Sequence, residues 1–277
     1  MKKLLIRAFI LRSTVVLLGL TSVTSLSSQV IQSTFSANGI FCTLKEGMLQ
    51  VDFVTPDIVR VQYTKEAKFV GNGTDVCVPR NQERVRFSHR KEAQHFWLKS
   101  DSLIVKIDIR TGAISYFDTN GSALLREDAM IPRVGTKVFT ERVTYDEASK
   151  RVEKTANGDI EVKTVLTRDT VGASWKYKMN FRWMPSEALY GLGSHMEDYM
   201  NLKGKELYLC QHNLKAMVPV INSTAGYGLL FDAGCSMLFR DTEEVGYVEL
   251  EAAKQIDYYF MKGKRMDAVI ANYRLLT

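Results

Sequence analysis

Trp175, Tyr177, Met179 and Phe181 alternate with Lys176, Lys178, Asn180 and Arg182, and this two-residue period restricts the possible folds more than any other feature. Successive side chains of an extended strand point to opposite faces, so such a segment buries one side and wets the other. The pattern recurs along the chain. Leu49, Val51 and Phe53 alternate with Gln50 and Asp52, and Val59, Val61 and Tyr63 with Arg60 and Gln62. Leu103, Val105, Ile107 and Ile109 make one apolar face against Lys106 and Asp108. Ile160, Val162, Thr164 and Leu166 face away from Glu161 and Lys163. Half-buried strands of this kind belong to antiparallel sheets packed face to face. Asn120-Gly121 and Asn157-Gly158 predict type I′ turns, in which both central residues take positive φ. Thr111-Gly112 separates two further strand patterns. Short strands at regular intervals, with almost no helical period between them, predict one large all-β sandwich over residues 29–262.

Composition agrees. A chain of 277 residues that is 45% hydrophobic, with 5 Pro and 18 Gly, holds the material for a large core and excludes disorder or a collagen-like repeat. The formal charge of +6 invites a nucleic-acid reading. However, Lys2, Lys3, Arg7 and Arg12 lie in the first 28 residues, where there is no acid. Removing these four from 37 bases leaves 33 against 31 acids, or +2, with no basic cluster. Nucleic acid is therefore not an expected partner.

Residues 1–28 read as an export address. A basic start leads into the apolar run Val15 to Leu20 and then into small polar residues, with Ser25-Leu26-Ser27 suited to cleavage. The run is shorter than the roughly 20 residues a membrane span needs. The expectation is a cleaved signal peptide, an exported (periplasmic or extracellular) protein and no membrane span after cleavage; an uncleaved signal anchor is the alternative. Cys42, Cys77, Cys210 and Cys235 lack C-x-x-C spacing and are read either as disulfide partners or as small buried thiols. At the other end, Met266, Val269, Ile270 and Tyr273 stand at i, i+3, i+4 and i+7, which is one helical stripe. Residues 263–277 therefore form a short helix, either docked on the sandwich or connecting to a further domain.

Several constellations are weaker. Gly191-Leu192-Gly193 is followed by Met196 where a dinucleotide fingerprint needs its third glycine, so a tight strand exit is the better reading. His195, Glu197 and Asp198 could be drawn as an acid/base or metal cluster, but one histidine beside two acids in a loop reads as a solvated face. His89 and His95 are not spaced for a helical metal site. Trp175 is expected in the core, and so are Trp97 and Trp183, although these two could stack on sugar rings. Asn72, Asn120 and Asn222 head N-x-[ST] sequons. No catalytic pair, cofactor or metal site can be nominated.

The stretch Glu187-Ala188-Leu189-Tyr190-Gly191-Leu192-Gly193-Ser194-His195 resembles the signature of the N-terminal domain of glycoside hydrolase family 31, which includes α-glucosidases and α-xylosidases. Val51 to Val61 is similar to that family's early strand pair. Leu103 to Ile109, with Thr111 to Asp118 and the Asn120-Gly121 turn, is similar to its central hairpin. Gly226 to Asp232 resembles the strand after its substrate loop, and Met266 to Thr277 its connector to the catalytic barrel. The run from Gly193 to Lys205, with Gln211-His212-Asn213, is closest to the α-xylosidase-like branch.

The resemblance implies a galactose-mutarotase-like β-sandwich with a short C-terminal connector helix, packing against a (β/α)8 barrel that this chain lacks. It also implies that both catalytic aspartates belong to the barrel, so the chain alone should not hydrolyse glycosides. The expected partners are that missing barrel and, through the complete enzyme, an oligosaccharide or α-glycoside. A sandwich loop in the family reaches over the barrel mouth, and the matching position is Asn213. His212 is its candidate companion in substrate binding. Many α-glucosidases carry Asp at this position; Asn keeps two hydrogen-bonding atoms without the charge. The alternatives are a stand-alone carbohydrate-binding or interaction module and a mutarotase-like sugar epimerase, for which no acid and base pair is evident.

Overall fold

The structure, a computed structural model, describes residues 29–71, 76–78, 84–242 and 246–277. Residues 1–28, read above as an export address, and the sequon at Asn72 lie outside the described residues. The chain opens with β1 (Val30–Phe35), β2 (Gly39–Leu44), β3 (Gly47–Thr55) and β4 (Ile58–Thr64). It continues through β5 (Phe87–Glu92), β6 (His95–Ser100), β7 (Leu103–Asp108), β8 (Ile114–Asp118) and β9 (Ala123–Glu127). Two long strands follow, β10 (Arg133–Thr155) and β11 (Gly158–Arg182). The remainder is β12 (Leu189–Gly191), β13 (Glu206–Leu209), β14 (Val220–Ser223), β15 (Tyr227–Phe231), β16 (Met237–Asp241), β17 (Gly246–Ala253), β18 (Ile256–Lys262) and α1 (Met266–Leu276).

The strands form two antiparallel sheets. One has eight strands in the order β1-β2-β3-β4-β18-β15-β14-β12. The other has ten, in the order β13-β16-β17-β11-β9-β8-β7-β6-β5, with β10 paired to β11. The alternating residues meet between them: Leu49, Val51, Val59, Val61, Leu103, Val105, Tyr177, Met179, Phe181 and Phe260 are all buried. Tyr116 of β8 stacks on Phe260 of β18 at 3.9 Å, so an aromatic contact bridges the two layers. A polar group is sealed in the same space. Arg133 Nη1 lies 2.9 Å from Glu127 Oε1, with both side chains fully buried. Glu127 also accepts from the Tyr258 hydroxyl at 3.2 Å and from the Ile114 N–H at 2.8 Å. The carboxylate is thereby satisfied by several donors, as a buried charge must be.

Helix α1 covers part of the outer face of the eight-stranded sheet. Val269 and Leu276 are buried and pack with Ile58, Cys77, Val220, Leu230, Tyr259 and Met261, while Tyr273 flanks them. The expected stripe shifts: Ile270 is 43% exposed, and the docked face runs Met266, Val269, Tyr273, Leu276. On the same outer face Arg60 makes a two-point ion pair with Asp257, at 2.9 and 2.6 Å.

Three further expectations change, and the two cysteine readings are narrowed. Only the glycines of Asn120-Gly121 and Asn157-Gly158 have positive φ (89° and 109°), so neither turn is type I′; one left-handed residue is what a turn with a glycine bulge needs. The Ile160–Leu166 alternation forms a strand but buries no face: Ile160 is 47% and Leu166 63% exposed. It lies in the part of the β10–β11 ribbon that leaves the sandwich beyond Trp175, the last residue of β11 paired to β17 in that direction. Asn222 is buried in β14, with Nδ2 donating to the Met266 carbonyl at 3.0 Å, which removes it as an accessible sequon. No disulfide joins the four cysteines, and burial pushes the Cys42 thiol up to about 12. Among the described residues no helix is long and apolar enough to cross a membrane.

Candidate functional site: a strand exit and the turn it supports

Strand β12 ends in three successive left-handed residues, Gly191 (φ 120°), Leu192 (φ 63°) and Gly193 (φ 89°). Glycine is required at both flanks. A Cβ at Gly191 would stand 2.2 Å from the Val220 carbonyl oxygen, and one at Gly193 2.0 Å from that of Ala216. Leu192 takes the same conformation with a side chain; that side chain is 1% exposed, so core packing holds the unfavourable backbone in place. The exit is stitched to the segment after β13. Leu192 N–H donates to Val220 at 2.8 Å, and Ser194 and Ala216 exchange N–H···O bonds of 2.8 and 3.0 Å.

That stitching sets a turn at residues 212–215, closed by the Lys215 N–H on the His212 carbonyl at 3.1 Å. Asn213 and Leu214 form its exposed tip, and His212 is exposed beside them. Its base is held by side chains. Lys215 Nζ lies 2.5 Å from Glu197 Oε1; Glu197 Oε2 stands 2.9 Å from His195 Nδ1, with no hydrogen bond between them. Gln211 Oε1 accepts from the Met217 N–H at 3.0 Å. The Lys215 ammonium holds the Glu197 carboxyl below the usual range. His195 is not on a solvated face, because its side chain is 8% exposed. Tyr190, Gly193, His195, Glu197, Asp198 and Tyr199 help line an open cavity of about 380 Å³. Among the described residues no group of His, Cys, Asp or Glu is arranged to hold a metal ion.

The structure thus sets His212 and Asn213 together at one turn tip and brings His195 and Glu197 under the turn. Lys215 had no signature in the sequence and the bracing role of Gln211 had none either, since their partners are set by the loop topology. The tryptophans do not join this site. Trp183 is buried and Trp175 packs at the rim of the core, where its Nε1 donates to Glu66 at 2.7 Å. Trp97 departs from the expected core position. Its neighbours Phe96 and Leu98 are the buried residues of β6, so it lies on the outer face, with Arg90 and Lys106 over its ring at 5.5 and 5.7 Å. β6 is also near the opposite edge of its sheet from β13.

Comparison with known proteins agrees with this architecture. Residues 48–239 match the family model of the glycosyl hydrolase 31 N-terminal galactose mutarotase-like domain. An uncharacterized family 31 glucosidase of Pseudescherichia vulneris is 22% identical over 242 residues, covering 87% of this chain and 43% of the relative. An alpha-xylosidase of Saccharolobus solfataricus is 25% identical, covering 83% of this chain and 28% of the relative. The chain therefore spans less than half the length of these curated relatives. Among solved structures, a family 31 dextranase of Flavobacterium johnsoniae superposes with a TM-score of 0.68 at 17% identity, over 91% of this chain and 28% of that one. A family 31 alpha-xylosidase of Xanthomonas citri gives 0.68 at 15% identity, over 87% and 40%. With a two-sheet antiparallel sandwich and a family model matched over most of its length, the chain belongs to the glycosyl hydrolase 31 family, in its N-terminal galactose mutarotase-like domain.

Proposed function

We propose that this chain is the non-catalytic β-sandwich of an exported α-glycosidase of the xylosidase or glucosidase type. Residues 29–262 would support a (β/α)8 barrel supplied by further polypeptide, with 263–277 leading toward it. The 212–215 turn would lend Asn213, assisted by His212, to a sugar held at the barrel mouth. The carrying observation is the presentation of Asn213: an exposed amide at the tip of a turn braced from below by Lys215, Glu197 and the strand exit. A side chain meant for a ligand gains from a support that is already ordered, because less freedom is lost on binding. Export rests on the basic and apolar pattern of residues 1–28.

Hydrolysis by this chain alone is not supported by its chemistry. A retaining glycosidase needs two carboxyl groups roughly 5–5.5 Å apart, one of them a proton donor with a raised pKa. The carboxyls lining the cavity are Glu197 and Asp198, and Glu197 is committed to Lys215 and held ionised. The test is calorimetric titration of the purified chain with xylo- and gluco-oligosaccharides. Binding that is absent or no tighter than millimolar agrees with half a site. Micromolar affinity would favour a self-sufficient carbohydrate-binding module instead.

A further inference from the structure

The β10–β11 ribbon continues past the sandwich with neither face covered by any other strand or helix among the described residues. Beyond Trp175 its two strands pair only with each other, down to the Thr155–Gly158 closure. At roughly 3.3 Å per residue, the stretch from Val138 to Thr155 reaches on the order of 50–60 Å. A lone two-stranded ribbon is marginal in water, and three or more strands or a packed face are needed for independent stability. An arm of this length calls for a partner.

The register says which face needs one. Residues directly opposite share a face, and Arg133 and Met179, a pair at the root, point into the core. Following that face outward gives Lys137 with Trp175, Phe139 with Ala173, Glu141 with Thr170, Val143 with Arg168, and Tyr145 with Val165. The opposite face carries Val138 with Ser174, Thr140 with Gly172, Arg142 with Asp169, Thr144 with Thr167, and Asp146 with Thr164, and is polar beyond Val138. The apolar row therefore prolongs the inner face of the sheet past the point where the other sheet covers it. Phe139 is 62%, Tyr145 49% and Val165 39% exposed. Within that row Glu141 and Arg168 lie 3.3 Å apart, both largely exposed.

We propose that this face of the arm is the contact surface for the arm of a second copy of the same chain. Outward of Lys137 this face carries one acid, Glu141, and one base, Arg168, and such a pair is complementary to itself under a two-fold rotation, with Arg168 of one copy reaching Glu141 of the other. The arm offers no single-sign field for a polyionic partner: residues 138–174 hold seven acids and six bases, interspersed.

Sedimentation of the purified 277-residue chain across concentration tests this. The expected species at micromolar concentration is a dimer of twice the 31.4 kDa chain mass. Glu141→Arg and Arg168→Glu should each raise the dissociation constant about tenfold or more, since each places like charges across both halves of the contact. Mixing the two variants one to one should restore the dimer, because each half then regains an opposite pair. Both positions are exposed, and unchanged far-UV circular dichroism will show that the variants fold. A chain that stays monomeric to about 100 µM, a dimer indifferent to both variants, or variants that mixing does not rescue would each overturn the proposal.

Discussion

Lys215 Nζ stands 2.5 Å from Glu197 Oε1, so the turn that carries His212 and Asn213 is tied to the loop that leaves β12. The two segments are otherwise joined by backbone bonds at Ser194–Ala216 and Leu192–Val220. The ion pair is thus the side-chain fastening of the turn. Removing it with Lys215→Met should loosen the tip without unfolding the sandwich. Hydrogen exchange of the peptide covering 210–218 is expected to speed up severalfold, with peptides from β7 and β18 unchanged. Unaltered exchange at 210–218 would mean that the backbone ladder alone holds the turn.

Gly193 separates two causes of glycine dependence. Gly193→Ala introduces both a strained positive φ and a Cβ 2.0 Å from the Ala216 carbonyl oxygen. Gly121→Ala meets the same φ of 89° with nothing within 4 Å. The first should cost about 3 kcal/mol or more and the second about 1 kcal/mol, read as the loss of unfolding free energy in urea. Equal losses would show that the strand exit yields to the added methyl.

Asp128 ties the turn between β9 and β10 to the last residue of β11, Arg182. Burial acts to raise its carboxyl, but N–H donation from Ile131 and Met130 and the Arg182 guanidinium outweigh this and hold it below the usual range. A depressed folded pKa contributes stability above the unfolded value, near 4, that is lost as pH falls through the folded pKa. Asp128→Ala should therefore lower the melting temperature at pH 7 and lower it less at pH 3. Removing hydrogen bonds of this kind costs about 1–2 kcal/mol. A deficit that does not change with pH would contradict the assignment.

Arg133 and Glu127 are both fully buried. Arg133→Met strands a carboxylate between the sheets and should cost about 3–5 kcal/mol. Adding Glu127→Gln to that variant should recover a substantial part of the loss, measured as a double-mutant cycle of denaturation midpoints. No recovery would show that the arginine acts through packing rather than charge.

The sandwich was legible because alternation reports which residues share a face. Trp175 to Phe181 shows both the power and the limit of that signal. Its inner residues are buried where the other sheet lies opposite, yet the equally regular Ile160–Leu166 row buries nothing. Period two identifies a strand, and only the topology decides whether a second layer meets it. The helix was readable in kind but not in facing. Ile270 fits the stripe arithmetically, but the docked face turns toward Leu276, because Gly228 and Met261 approach Val269 and fix the helix rotation. At the candidate site the two glycines pointed to a strand exit. The Lys215–Glu197 fastening gave no signal, since residues 18 apart meet only through the path of the loops.

The most direct measurement is the rate of hydrolysis of aryl α-xylosides and α-glucosides by the purified chain over a broad pH range. The proposed reading predicts no release of phenol above the buffer rate, because it assigns the reacting carboxyl pair to the barrel and the cavity carboxyl Glu197 is bound by Lys215. Turnover that scales with protein concentration and disappears in Glu197→Gln or Asp198→Asn would contradict it.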